Sequence, residues 1–103
     1  MPNGRHGAVL IARDAIVQLF SSLDAGLVAG SIGGRNVLVS DVRELLGGGK
    51  TVEYFVEAQY ERHLVIHLDP KHWLWVDKDG PVFPELLELW KKWLRRPTPE
   101  SES

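Results

Sequence analysis

The chain has 103 residues, of which 44% are hydrophobic, 25% charged and 9% aromatic. That describes one ordinary globular domain and leaves no room for two. Cysteine is absent, which removes disulfides, thiolate metal sites and cysteine nucleophiles and fits a reducing compartment.

The formal net charge is -2, from 12 Lys and Arg against 14 Asp and Glu. A dedicated nucleic-acid binder carries a basic excess. The first fifty residues hold 5 basic and 4 acidic side chains, and the remainder hold 7 and 10, so neither half is a basic arm. No run approaches the ~18 apolar residues of a membrane span. The apolar run at residues 8–12 follows Arg5 and is five residues long, short of the ~7–15-residue core of a signal peptide. A cytoplasmic protein with no targeting segment and no membrane contact is expected.

Residues 1–7 read as a mobile leader. Over residues 8–23 the spacing predicts a helix, with Ile11, Ala15, Leu19 and Leu23 on one row and Ala8, Ala12, Ile16 and Phe20 beside them. Gly26, Gly30, Gly33 and Gly34 predict turns through residues 26–36, with a short extended piece at Leu27-Val28-Ala29. Val37-Leu38-Val39 is a short β-branched run. Ser40 is placed to cap a helical turn reaching Leu46, which Gly47-Gly48-Gly49 ends.

The clearest strand signal follows. Val52, Tyr54, Val56, Ala58 and Tyr60 alternate with Glu53, Phe55, Glu57, Gln59 and Glu61, and then Leu64, Ile66 and Leu68 alternate with His63, Val65 and His67. A hairpin turning near residues 59–61 is expected. Pairing Glu57 with His63, Glu53 with His67, Val56 with Leu64 and Tyr54 with Ile66 would give one polar and one apolar face. Asp69-Pro70-Lys71 makes a turn, and a third strand runs over residues 72–76. Pro84 opens a C-terminal helix. Leu86, Leu87, Leu89, Trp90, Trp93 and Leu94 form its apolar face, and Pro97 stops it. Residues 97–103 have the composition of a disordered tail. The expectation is α+β: a curled antiparallel sheet of three to five strands, with an N-terminal and a C-terminal helix packed on it, in one domain over residues 8–96.

Several motifs fall short of a chemistry. Gly47-Gly48-Gly49-Lys50-Thr51 has the tail of a phosphate-binding loop, but Glu44 stands where the first glycine belongs, and a helix precedes the loop where a strand should. Gly30-Ser31-Ile32-Gly33-Gly34-Arg35 lacks the dinucleotide-binding spacing. No nucleophile elbow is present. Asp77 and Asp79 lack the other ligands of a calcium loop.

Two constellations remain. Glu53, Glu57, His63, His67 and His72 are placed to share a sheet face, where they would suit a divalent metal or acid–base work or simply pair across strands. Trp73 and Trp75 share one strand face, and Trp90 and Trp93 share one helix face. The simplest packing sets that helix against those tryptophans as an aromatic core. Phe55, Val65, Leu74 and Val76 would then lie on the opposite sheet face. With apolar residues on both faces and two helices to cover them, some surface is left for a partner. Trp73, Trp75, Trp90 and Trp93 are the candidate binding residues.

The function expected is a small non-enzymatic interaction module. It would self-associate as a homodimer through apolar and aromatic surface, with a protein or a small apolar ligand as the alternative partner. No cofactor is implied. The second expectation is a winged-helix-like DNA-binding regulator using Arg35, Arg43 and Lys50, against which stand the net charge and Glu53, Glu57 and Glu61 on the supposed wing. The third is a small metal-binding or acid–base enzyme using the histidine and glutamate face.

Overall fold

A computed structural model describes residues 7–49 and 51–95. Residues 1–6 of the expected leader at 1–7, the expected tail at 97–103 and Lys50 lie outside the described residues. Nine elements follow in order: β1 (Ala8–Ala12), α1 (Arg13–Ser22), β2 (Val28–Ile32), β3 (Arg35–Leu38), α2 (Val39–Gly47), β4 (Glu53–Gln59), β5 (His63–Asp69), β6 (His72–Asp77) and α3 (Phe83–Leu94). The fold is α+β. The strands form one antiparallel sheet in the order β1-β4-β5-β6-β2-β3, so it has six strands and not three to five.

The first correction is at the N-terminus. Residues 8–12 are a strand, and the helix begins only at Arg13. A five-residue apolar run satisfies a helical or an extended pattern equally well. Pairing with β4 decides it, Leu10 opposing Phe55 and Ile11 opposing Tyr54. Ile11 then enters the core while Leu10 faces outward. From Arg13 the helical spacing holds, with Asp14 in the first turn and Ile16 and Phe20 buried.

Residues 26–36 resolve into a hairpin. Ile32 pairs with Arg35, and between them Gly33 and Gly34 take φ of 59° and 82°. A two-residue turn of this hand needs positive φ at both positions, and glycine supplies it without steric cost. Strand β2 then docks on β6 through Ser31 opposite Trp75. The turn into α2 is capped differently from expectation. Leu38 is the N-cap residue, and its amide donates to Asp41 Oδ2 at 2.9 Å, so Asp41 and not Ser40 serves the helix start.

The central hairpin is slipped by two residues from the expected register. Glu57 opposes Val65, Gln59 opposes His63, and Phe55 opposes His67. A slip of two preserves which residues share a face, so Tyr54, Val56, Leu64 and Ile66 still point together into the core. The cause is the turn. Tyr60 and Glu61 both adopt positive φ, 56° and 58°, and the Arg62 amide donates to the Gln59 carbonyl at 3.1 Å.

Between β5 and β6 a register shift falls between His67 and Asp69. It places Trp73, not His72, opposite His67, and Trp75 opposite Val65. Trp73 and Trp75 therefore share a face with Phe55 and Val65, while Leu74 and Val76 turn into the core. The expected grouping of Phe55 and Val65 with Leu74 and Val76 is overturned.

All three helices pack on one face of the sheet. Ile16 and Phe20 of α1, Val39, Val42 and Leu46 of α2, and Leu86 of α3 form a single cluster with the inward residues of the strands. Trp90 and Trp93 pack against that cluster, and Trp90 Nε1 donates to the Gly7 carbonyl at 3.0 Å. The expected aromatic core of α3 against Trp73 and Trp75 does not form, because the two pairs lie on opposite sides of the sheet.

Two predictions follow from backbone geometry. A Cβ on Gly30 would lie 2.2 Å from the Trp75 carbonyl oxygen, and main chain cannot yield as a flexible side chain does. Gly30→Ala is expected to destabilise by about 1–3 kcal/mol, read by urea unfolding. Glu61→Gly is expected to stabilise by roughly 0.5–1 kcal/mol, because glycine removes the left-handed penalty but adds chain entropy. A rise in melting temperature checks it.

Candidate functional site

The sheet face away from the helices carries the residues of interest. One row runs across four strands as Leu10, Phe55, His67 and Trp73. A second row holds Ala8, Glu57, Val65, Trp75 and Ser31, and a third holds Gln59, His63 and Asp77. Leu10 is 52% exposed, Trp73 44% and Phe55 39%. Val65 is fully buried beneath its neighbours yet stands outside the main core cluster. The face thus combines exposed large apolar side chains with a polar pair, His67 and Glu57, on its interior strands.

His67 sits at the centre of the first row. Its ring lies 5.1 Å from Phe55 in an edge-on contact and 4.3 Å from Trp73. Its Nε2 is 3.0 Å from Glu57 Oε1, and Glu57 Oε2 accepts the Gln59 side-chain amide. An ionised carboxylate only accepts, so Nε2 carries the proton in this bond. The imidazole is thus held by two aromatic rings and by a carboxylate that is itself anchored. A carboxylate orienting a histidine is a geometry suited to proton handling, but this one stands on an open sheet face.

The other members of the expected polar cluster are dispersed. His63 makes an edge-on contact with Trp75 at 5.4 Å, and its Nδ1 is buried without a partner among the described residues. It borders a cleft of about 280 Å³ shared with Ser31, Asn36, Trp75, Asp77 and Asp79. His72 lies beyond the β5–β6 turn, its Nδ1 2.8 Å from Asp69 Oδ2. Glu53 opposes Ala12 at the far end of β4. Of the five, only Glu57 and His67 are brought together, and among the described residues no three His, Cys, Asp or Glu side chains gather to hold a metal.

Of the four tryptophans, only Trp73 and Trp75 belong to this face. Leu10, Phe55 and Gln59 join them. Leu10 escaped sequence reasoning because its run was read as helix, and Phe55 because the β5–β6 register shift was not visible. The signal for Leu10 was its place between the β-branched Val9 and Ile11, a run only three residues long.

Of the basic residues of the DNA-binding reading, Arg43 is engaged within the fold and Lys50 lies outside the described residues. Arg43 donates to the carbonyls of Phe20, Ser21 and Leu23 at 2.7, 3.1 and 2.5 Å, closing the C-terminal end of α1. Arg35 is exposed on β3. No described helix is long and apolar enough to cross a membrane.

Asp69 has a structural task at the β5–β6 turn. Its Oδ1 accepts the amides of Lys71 at 2.7 Å and His72 at 2.9 Å, the side-chain turn that Asp favours before proline. The hydrogen bond from His72 holds its carboxyl below the usual value of 3.8, against the opposing effect of burial and with the help of the Lys71 amide. A folded pKa below the unfolded one stabilises above the unfolded value and is lost as pH falls through the folded one. Asp69→Ala is therefore expected to be less stable than the parent above about pH 4, with the gap closing below it. Paired unfolding curves from pH 7 to pH 2 check this.

No family model, curated protein or solved structure matches the chain.

Proposed function

We propose that the chain is a non-enzymatic interaction module that self-associates by packing the helix-free faces of two sheets together. The observation that carries this reading is the exposed row of Leu10, Phe55 and Trp73 around His67, on a face that none of the three helices covers. Tryptophan within an exposed patch is a usual anchor of a protein interface. The face is a broad sheet surface, whereas small-molecule sites are concave. Its best complement is another sheet, which packs at about 10 Å with interdigitating side chains. A second copy supplies such a sheet.

The acid–base reading rests on His67 and Glu57, whose side chains are partly buried in the sheet face; the clefts lined by Ala15 and Trp93, by His63, and by Arg13 and Val52 do not include them. The DNA-binding reading loses Arg43 to the end of α1.

Light scattering after size exclusion, over a concentration series, tests the proposal. A mass of at least twice 11.6 kDa is expected. Trp73→Ser should raise the dissociation constant about 30-fold or more, from the 2 kcal/mol or more typical of an interface anchor, with circular dichroism unchanged. A monomer at every concentration, or a mass indifferent to Trp73→Ser, overturns it.

A further inference from the structure

The sheet has two edges, β1 and β3, and they are built differently. Strand β3 has four residues, carries Arg35, and follows a register shift between Val28 and Gly30. Short length, charge and irregular pairing are the ordinary means of protecting an edge. Strand β1, five residues long, lacks the charge and the irregular pairing. It reads Ala8-Val9-Leu10-Ile11-Ala12, without charge or proline, in an unbroken register with β4.

The direction of its free backbone groups follows from the ladder. The Arg13 amide donates to the Val52 carbonyl at 2.8 Å, one step beyond the Ala12–Glu53 pair. Bonded and non-bonded pairs alternate along an antiparallel ladder. Val9 and Ile11 therefore exchange bonds with β4, while Ala8, Leu10 and Ala12 direct their amides outward. No described residue takes those amides up.

We infer that β1 is a second self-association surface, on which β1 of another copy pairs antiparallel about a two-fold axis at Leu10. The strand is close to a palindrome. This pairing sets Leu10 against Leu10 of the second copy, Val9 against its Ile11, and Ala8 against its Ala12, so like meets like in size and branching. Leu10 exchanges two backbone bonds with its counterpart, and each Ala12 amide reaches the Ala8 carbonyl across the axis. The row Trp73–His67–Phe55–Leu10 then continues into the same row of the second copy, covering part of Leu10, now 52% exposed. The surface is distinct from the face proposed above. Its axis runs through the sheet, and that of the face runs between sheets. Both together close four chains with dihedral symmetry.

Ala12 offers a selective test. Its φ is -55°, which proline adopts without strain, and its amide takes no part in the ladder with β4. Ala12→Pro thus keeps the fold, removes a bond donor and places its ring on the edge. The experiment is light scattering on the wild type, Ala12→Pro, Trp73→Ser and the double variant. Four, two, two and one chains are expected. If the wild type is a dimer that Ala12→Pro alone dissociates, the edge stands and the face reading falls. If Ala12→Pro is folded and leaves the mass unchanged, the edge proposal is overturned and the face is untouched. Ala8→Lys with Ala12→Lys is the second edge variant. In one chain each lysine faces a glutamate, Glu57 or Glu53, but across the edge lysine would meet lysine. Ala8 also stands in the second row of the helix-free face, so a halved mass is assigned to the edge where Ala12→Pro halves it too, and an unchanged mass overturns the proposal. Exchange of the Leu10 amide should be slow in the wild type and fast in Ala12→Pro; fast exchange in concentrated wild type overturns it.

Discussion

Strand β5 is held from both sides, and most of the architecture depends on its register. Leu64, Val65 and Ile66 are consecutive, and all are buried. Such a run marks a central strand whose two faces are both covered. Leu64 and Ile66 lie under the helices, and Val65 lies under Phe55, Trp75 and their neighbours. A one-residue slip would exchange the two sets and put His63 and His67 into the core. The turns at both ends guard against it. Tyr60 and Glu61 set one end, and Asp69, gripping two amides, sets the other.

The helix layer is tied together by two arginines. Arg13 at the start of α1 donates to the Leu46 carbonyl near the end of α2, at 2.6 Å. Arg43 in α2 donates to the last carbonyls of α1. Each helix thus supplies the cation that its neighbour's carbonyl end favours. The explicit N-cap side chains that Ser, Thr or Asn would provide are absent from α1, α2 and α3. This employment of basic residues also explains why a chain with 12 of them presents no basic surface stripe built from Arg13 or Arg43.

The meander of β4, β5 and β6, the turn at Asp69 and the amphipathic α3 were legible in the sequence, because each carries a strong local pattern. Strand β1 was not, since Val9, Leu10 and Ile11 fit a helical row as well as a strand and only the distant pairing with β4 decides. The register of the central hairpin was hidden because Tyr60 and Glu61 take a conformation that glycine or asparagine normally announces. The candidate face was half legible. The periodicity placed His63, His67, Glu53 and Glu57 together, but Trp73 and Trp75 joined them only through the shift between His67 and Asp69. No local rule predicts that shift.

The strand order carries a consequence for how the chain reaches this state. The meander is local in sequence, whereas β1 must find β4 and β2 must find β6, each across more than forty positions. Closing such long loops is the slow part of folding for a sheet of this kind. The first half of the chain leaves the ribosome before the strands that receive it on either side. Until the meander is complete, Ala8–Ala12 is an uncharged extended segment with no partner of its own chain. The same few residues that finish the sheet are therefore the ones most exposed to mispairing while it is being made.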